Sequence, residues 1–138
     1  MATTTTRKFF VNLAVSDLPA TMAFWRKLGF SFNPQFTDDK AACLVISEDA
    51  FVMLLGQEYF KSFARKPLSD SRKQTEGLYG ISASSRAEVD QLVKTALESG
   101  GSPAAPPQDH GMMYGSSFYD PDGHHWEVMW MDPAAIQQ

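Results

Sequence analysis

The chain has 138 residues, of which 43% are hydrophobic and 20% are charged, and its formal net charge is −4. This length and apolar content predict one globular domain with a buried core. The acidic balance offers no basic surface for nucleic acid or an anionic membrane, and no apolar run has the length of a membrane span. We therefore expect neither nucleic acid nor a membrane as a partner.

The one cysteine, Cys43, lies in the apolar run "AACLVI" at residues 41–46. A lone cysteine forms no internal disulfide, and one in an apolar strand is typically an inert, buried thiol. The N-terminal "MATTTTR" has no apolar run of the kind that a secretory signal needs. These features predict a cytoplasmic location.

The first half of the chain reads as a strand, a helix and three more strands. Residues 8–15 alternate in two columns with the period of a strand. Asp17 offers a helix N-cap, Pro19 fits a first helical turn, and Gly29 ends the helix. Three further strands are predicted at residues 30–37, 41–47 and 50–55.

The second half repeats this plan after a polar stretch. Residues 57–74 are predicted to be a linker or mobile loop, with a short helix near its start. A strand at residues 77–83 precedes a capping box from Ser85 to Glu88, and a helix follows. Further strands are predicted at residues 102–106, 112–119 and 124–131. The chain thus reads as a single domain, 1–138, with one βαβββ module at about 8–56 and another at about 75–131.

Two short anchors set the register of this internal repeat. Matching the helix starts places Phe10 on Leu78. Matching the turn at residues 47–50 with that at residues 120–123 places Leu54 on Glu127. These four residues are predicted to hold equivalent positions in the two modules.

Three runs carry a resemblance to a known family. They are "NLAVSDLPATMAFWRKLGF" at 12–30, "ALESGG" at 96–101 and "FYDPDGHHWEV" at 118–128. In their order and spacing they resemble the glyoxalase, bleomycin-resistance and ring-cleaving dioxygenase proteins, the vicinal-oxygen-chelate superfamily, over residues 8–131. The resemblance implies an α+β fold of paired βαβββ modules, with mixed sheets curled around a concave cleft and helices on the convex face. It also implies a homodimer.

The resemblance implies a degenerate metal site. Metal enzymes of the family carry His, Gln or Glu at four symmetry-linked positions, which here correspond to Phe10, Leu54, Leu78 and Glu127. A divalent metal needs three or more donors held in fixed geometry. We therefore predict no bound metal and no cofactor.

The three histidines leave alternatives open. His125 shares a strand face with Glu127, so the pair could supply two donors. His110 lies on a predicted loop that either folds over the cleft or faces solvent. His124 sits beside a turn, where a capping or surface role is expected.

A mixed set of side chains is predicted to face the cleft. It consists of Phe10, Asn12, Leu54, Leu78, Tyr114, His125, Glu127 and Met129. Because most of these side chains are apolar or aromatic, they favour a module that binds an amphipathic or planar small molecule. The identity of the ligand stays open.

Two enzymatic alternatives remain beside the binding module. In a metal-free lyase or isomerase, Glu127 would act as general base, and Asn12 would polarise a carbonyl. Apolar neighbours would desolvate that carboxylate and favour its neutral form. A metal-dependent lyase of the glyoxalase type is the third alternative, and the missing donors argue against it.

Overall fold

The computed structural model describes residues 5–135. The chain divides into two compact units, Met1–Leu68 (unit 1) and Ser69–Gln138 (unit 2), and each is described by itself. The fold is α+β, as the sequence predicts. Within residues 5–135, no helix has the length and hydropathy needed to cross a membrane. The expectation of no leader rests partly on residues 1–4, which lie outside the described range.

Unit 1 is a three-stranded sheet with one long helix and one short helix. Its elements are strand β1 (Phe9–Val15), helix α1 (Leu18–Lys27), a 3-10 turn (Pro34–Phe36), strand β2 (Ala41–Val45), strand β3 (Ala50–Gly56) and helix α2 (Gln57–Lys61). The strand order is β1-β3-β2, with β1 parallel and β2 antiparallel to β3.

The predicted strand at residues 30–37 is wrong. Only Phe32 makes an isolated bridge, to Leu44. Pro34 has no amide hydrogen and fixes its own φ, which suits the first position of a turn better than the middle of a ladder. Asn33 caps that turn by accepting a hydrogen bond from the Gln35 amide at 2.9 Å.

Helix α1 begins and ends where local chemistry dictates. Asp17 accepts the Ala20 amide at 3.0 Å, and Gly29 adopts a φ of 95° just past the helix end. The buried helix residues Phe24 and Trp25 contribute the largest side chains of the unit 1 core. The sheet supplies the other half of that core with Leu13, Val15, Leu44, Val52 and Leu54.

Unit 2 has a larger sheet built on the same plan. Its elements are β4 (Leu78–Ser82), α3 (Arg86–Glu98), β5 (Ser102–Pro103), β6 (Gln108–Asp109), β7 (Met113–Tyr119), β8 (His125–Met131) and a 3-10 turn (Pro133–Ala135). The order is β4-β8-β7-β5, with β6 also paired to β7 and with β4 parallel to β8. Helix α3 packs mainly on β7 and β8.

The stretch predicted as a linker or mobile loop contributes to both units. Helix α2 belongs to unit 1, whereas Ser71 and Arg72 dock on the turn at residues 120–123. The Ser71 hydroxyl donates to the Asp122 carbonyl at 2.6 Å, and the Arg72 guanidinium lies 3.4 Å from the Asp122 carboxylate. These contacts make residues 71–72 an ordered part of unit 2.

Candidate functional site

Each sheet has one face covered by its long helix, the helix face, and one opposite face, the open face. Residues paired across neighbouring strands point to the same side. In unit 1, Phe10 pairs with Phe51 and Asn12 pairs with Met53 on the open face. Leu54 pairs with Leu13 and is completely buried with it on the helix face. The prediction that Leu54 lines a cleft is therefore wrong.

The register in unit 2 identifies the true counterpart of Glu127. Leu78 pairs with His125 and Gly80 pairs with Glu127 across β4 and β8. Since Leu78 corresponds to Phe10, Gly80 corresponds to Asn12, and the partner of Asn12 is Met53. The equivalence of Leu54 with Glu127 was in error by one residue, and Met53 takes that position.

Tyr114 also lies on a different face from the one predicted. It pairs with Trp130, and its hydroxyl donates to the Asp90 carboxylate on α3. The Arg86 guanidinium lies 5.2 Å from the Tyr114 ring and 5.1 Å from the Trp130 ring. Tyr114 therefore belongs to the helix face, where it helps to anchor α3.

Glu127 lies on the open face of unit 2 in a polar setting. Its Oε2 is 3.3 Å from His125 Nε2, and 40% of its side-chain surface is exposed. Its neighbours across the sheet are Gly80 and Ser117. The carboxylate is thus partly exposed and paired with His125, and the Phe10 and Leu54 neighbours expected from the sequence are not among its cross-strand partners.

A small pocket of about 160 Å³ adjoins this carboxylate. Glu127, Met129 and Gln108 line it together with His110, whose side chain is also exposed to solvent. Arg86 holds the loop that carries His110, because its guanidinium donates to Asp109 at 2.7 Å and to the Gly111 carbonyl at 2.6 Å. The volume admits only a few atoms of a ligand.

The donors at the four family positions do not fit a divalent metal. In unit 1 those positions hold Phe10 and Met53, neither of which supplies oxygen or nitrogen. In unit 2 they hold Leu78 and Glu127, so the Glu127 carboxylate is the one metal donor among the four positions. Between residues 5 and 135, no three His, Cys, Asp or Glu side chains are grouped as a metal site. His124 is buried beside the Glu76 carboxylate, which bonds its Nδ1, and so serves the structure of its turn.

A larger pocket of about 430 Å³ lies on the open face of unit 1. Asn12 and Met53 form part of its floor, with Leu55 beside them. Aromatic side chains form much of its wall; they are Phe36, Tyr59 and Phe63. A second cavity of about 380 Å³ shares Asn12, Leu55 and Phe63 with it. The two cavities together make a continuous aromatic surface that includes the Asn12 amide, and Gln35, Thr37 and Asp38 add polar groups to the larger one.

Sequence reasoning found Asn12 but missed the aromatic wall. The sequence predicts a strand at Phe36 and a short helix containing Tyr59 and Phe63 at the start of the linker, and it places none of these rings in a pocket. The spacing of four residues between Tyr59 and Phe63 is the available signal, since it brings two rings to one side of a helical turn, here in edge-to-face contact with centroids 5.0 Å apart. Phe10 and Leu78 do lie on open faces, but both are largely exposed, and neither lines the pocket of its own unit.

Comparison with known proteins agrees with this architecture. Residues 9–128 match the model of the Glyoxalase/Bleomycin resistance protein/Dioxygenase superfamily. The chain therefore belongs to that superfamily. No curated protein matches it.

Several solved structures share the fold. A hypothetical protein, SA1046, from S. aureus is 29% identical, with 88% of this chain and 91% of that chain covered and a TM-score of 0.75. A glyoxalase-related enzyme from Fulvimarina pelagi is 18% identical, with 90% and 87% covered and a TM-score of 0.76. The fosfomycin resistance protein FosX from Mesorhizobium loti is 15% identical, with 97% of each chain covered and a TM-score of 0.62.

Proposed function

We propose that this protein binds a planar or amphipathic small molecule without a metal, on the open face of unit 1. The observation that carries the proposal is the pocket of about 430 Å³ with Asn12 at its floor. Ligand pockets in proteins typically hold about 300–1,000 Å³ and are mostly apolar with a few oriented polar groups. The unit 1 pocket has this size, and it combines aromatic and aliphatic side chains with polar groups from Asn12, Gln35, Thr37 and Asp38.

The aromatic side chains that line the pocket indicate that the ligand is planar. Phe36 and Phe63 are each more than half exposed, which is costly for large apolar side chains unless something covers them. Aromatic rings favour stacked or edge-on contact with other flat π-systems. A planar ligand would therefore recover the apolar area that these rings expose.

Asn12 supplies the polar recognition. Its side chain is exposed and makes no hydrogen bond to another described residue. An amide side chain offers an NH₂ group with two donor hydrogens and one acceptor oxygen, so it can form a hydrogen bond with a carbonyl, a hydroxyl or an N–H group on a ligand. Together with Gln35, Thr37 and Asp38, which also line the pocket, Asn12 would orient a ligand against the aromatic side chains.

The superfamily provides a precedent for binding as a role of its own. Its name includes bleomycin resistance, and the sequence resemblance to the bleomycin-resistance proteins implies sequestering of a small molecule. Two of the structures that share the fold are fosfomycin resistance proteins. Those two are 15% and 18% identical to this chain, so the likeness concerns the fold and their ligands are not transferred. The proposal also includes a homodimer, which the family resemblance supports and analytical ultracentrifugation would measure. It further includes a cytoplasmic location, which the buried free thiol of Cys43 supports.

The binding proposal is tested with N-phenylnaphthylamine, a neutral aromatic molecule whose fluorescence rises in apolar surroundings. Phe63→Ala should weaken saturable binding about tenfold through lost stacking and apolar contact, and Asn12→Ala should weaken it as well. Phe9→Ala is the matched control, because Phe9 is 66% exposed, Phe63 is 63% exposed, and Phe9 lies outside the pocket. Equal losses in both Phe variants, or no saturation with the wild type, would contradict the proposal.

A second candidate function is proton abstraction by Glu127 without a metal. It is favoured by the small pocket that Glu127 shares with His110, and by His125 at 3.3 Å from the carboxylate. Such a base would remove a proton next to a carbonyl. Proton NMR in D₂O with dihydroxyacetone should then show carbon-bound hydrogen exchange that disappears in Glu127→Gln. No exchange above the buffer rate would remove this candidate.

A further inference from the structure

A further cavity, of about 400 Å³, lies in unit 2 and shares no lining residue with the pocket beside Glu127. Residues 71–75 line it together with residues 119–121 and Gly123. Gly100 and Ser102, which follow helix α3, complete the lining. Its volume is within the usual range for small-molecule sites.

This cavity exists because residues 71–72 are held on the turn. A Cβ at Gly123 would lie 2.7 Å from the Ser71 carbonyl oxygen, so only glycine allows this approach. Gly123 also has a φ of 87°, which favours glycine on conformational grounds. The docked backbone, together with the ion pair between Arg72 and Asp122, fixes the wall that bears the cationic side chains.

The cavity lining is rich in cationic side chains and hydrogen-bond donors. Arg72 and Lys73 supply positive charge, and Thr75, Ser102 and Tyr119 supply hydroxyl groups. Arg72 is partly neutralised by Asp122 at 3.4 Å. Lys73 has no ion-pair partner within the described part of the chain, so its charge is available to a ligand.

The cavity lining contains little negative charge. Asp120 supplies the one carboxyl group among the described residues that line it. That carboxyl is buried and accepts the Asp122 and His124 amides and the Trp126 indole N–H. Burial raises the pKa of Asp120, and these three N–H donors already engage its carboxyl oxygens. In a protein of net charge −4, a cavity with this balance is suited to an anion.

We propose that the cavity lined by Arg72, Lys73, Thr75, Ser102 and Tyr119 binds a small organic molecule through an oxyanion group, either phosphate or carboxylate. Charge-assisted hydrogen bonds from Lys73 and the neighbouring hydroxyl groups would hold the oxyanion. The remaining volume would accept the carbon skeleton. This site is independent of the unit 1 pocket, and neither proposal depends on the other.

Isothermal titration calorimetry of the intact protein tests the proposal with two probes, pyrophosphate and citrate, at an ionic strength held constant with sodium chloride. Lys73→Gln should weaken binding about tenfold, the usual effect of losing one charge-assisted contact. Lys94→Gln is the matched control, because Lys94 is an exposed lysine of unit 2 outside the cavity. We expect this control to bind like the wild type.

Each outcome decides a part of the proposal. Saturable binding of pyrophosphate alone identifies phosphate as the group, and binding of citrate alone identifies carboxylate. Binding of both identifies a general oxyanion site. The absence of saturable heat with either probe, or equal losses in Lys73→Gln and Lys94→Gln, would overturn it. Failure here leaves the naphthylamine result on unit 1 unaffected.

Discussion

Met53 holds in unit 1 the strand position that Glu127 holds in unit 2. Asn12 pairs with Met53 across two parallel strands, as Gly80 pairs with Glu127. Asn12 lies five residues before the helix cap Asp17 (17 − 12), and Gly80 lies five before the cap Ser85 (85 − 80). A thioether therefore stands where the other unit has a carboxylate, and the open face of unit 1 is correspondingly apolar.

This register is tested by truncating Leu54 and Met53 separately. Leu54→Ala should lower the free energy of unfolding by about 2–5 kcal/mol, because it leaves a cavity in a closed core. Met53→Ala should cost less, because Met53 borders an open pocket that water can fill. Urea unfolding of both variants measures the difference. A larger loss for Met53 would mean that the faces are reversed.

The one-residue error in the repeat has a physical origin. The turns have equal length, since Val45 to Phe51 and Tyr119 to His125 each span six positions (51 − 45 and 125 − 119). Matching them by polar residue type placed Ser47 on Asp120, whereas the strand pairing places Ile46 there. A slip of one residue moves a side chain to the opposite face, which is how Leu54 was assigned to the wrong side.

Local signals were otherwise reliable guides to the fold. The cap at Asp17, the glycine stop at Gly29 and the cap at Ser85 all act through neighbours three or four residues away, so the sequence predicts them directly. The unit 1 pocket depends instead on where Phe36 and Phe63 lie against strands far from them in the chain. No local pattern contains that information, and only the folded unit shows it.

Glu127 should contribute little to stability. Its carboxylate is partly exposed and its contact with His125 is a surface pair, a class worth about 0–1 kcal/mol. Glu127→Gln and Glu127→Leu should each change the free energy of unfolding by less than about 1 kcal/mol. Thermal and urea melts beside the wild type give the comparison. A loss above about 2 kcal/mol in both variants would show that Glu127 is a structural residue.

The docking of residues 71–72 on the 120–123 turn predicts a contrast between two glycines. Gly111 and Gly123 have φ values of 80° and 87°, so an alanine costs about 1–2 kcal/mol of backbone strain at either position. At Gly111 the added methyl meets open space, whereas at Gly123 it meets the Ser71 carbonyl oxygen at 2.7 Å. Gly123→Ala should therefore lower the free energy of unfolding clearly more than Gly111→Ala in chemical denaturation. Equal losses would show that the Ser71 contact is not maintained in solution.

Tyr79 should give unit 2 a pH-dependent stability in the alkaline range. Burial, with the charge and hydrogen bond of Glu76, raises the pKa of Tyr79 to about 12. The folded state thus favours the neutral phenol. This contribution to stability is complete below pH 10, the ordinary tyrosine value, and is lost as the pH rises from about 10 to about 12.

Ultraviolet titration of phenolate formation measures this directly, with Tyr79→Phe to assign the late step. Glu76→Gln should lower the Tyr79 pKa part of the way toward 10, since burial remains as the largest cause. An unchanged midpoint in Glu76→Gln would mean that the Glu76 carboxylate does not act on this phenol.

The measurement that tests the central claim most directly is a comparison of ligand binding with and without metal. Protein dialysed against a chelator, and then against Zn²⁺, Ni²⁺ or Mn²⁺, would be examined by elemental analysis and by N-phenylnaphthylamine titration. We predict no stoichiometric ion and the same binding curve in every sample, because Phe10, Met53 and Leu78 leave Glu127 as a lone donor. One equivalent of metal that is lost in Glu127→Gln, together with binding that requires that metal, would contradict the account.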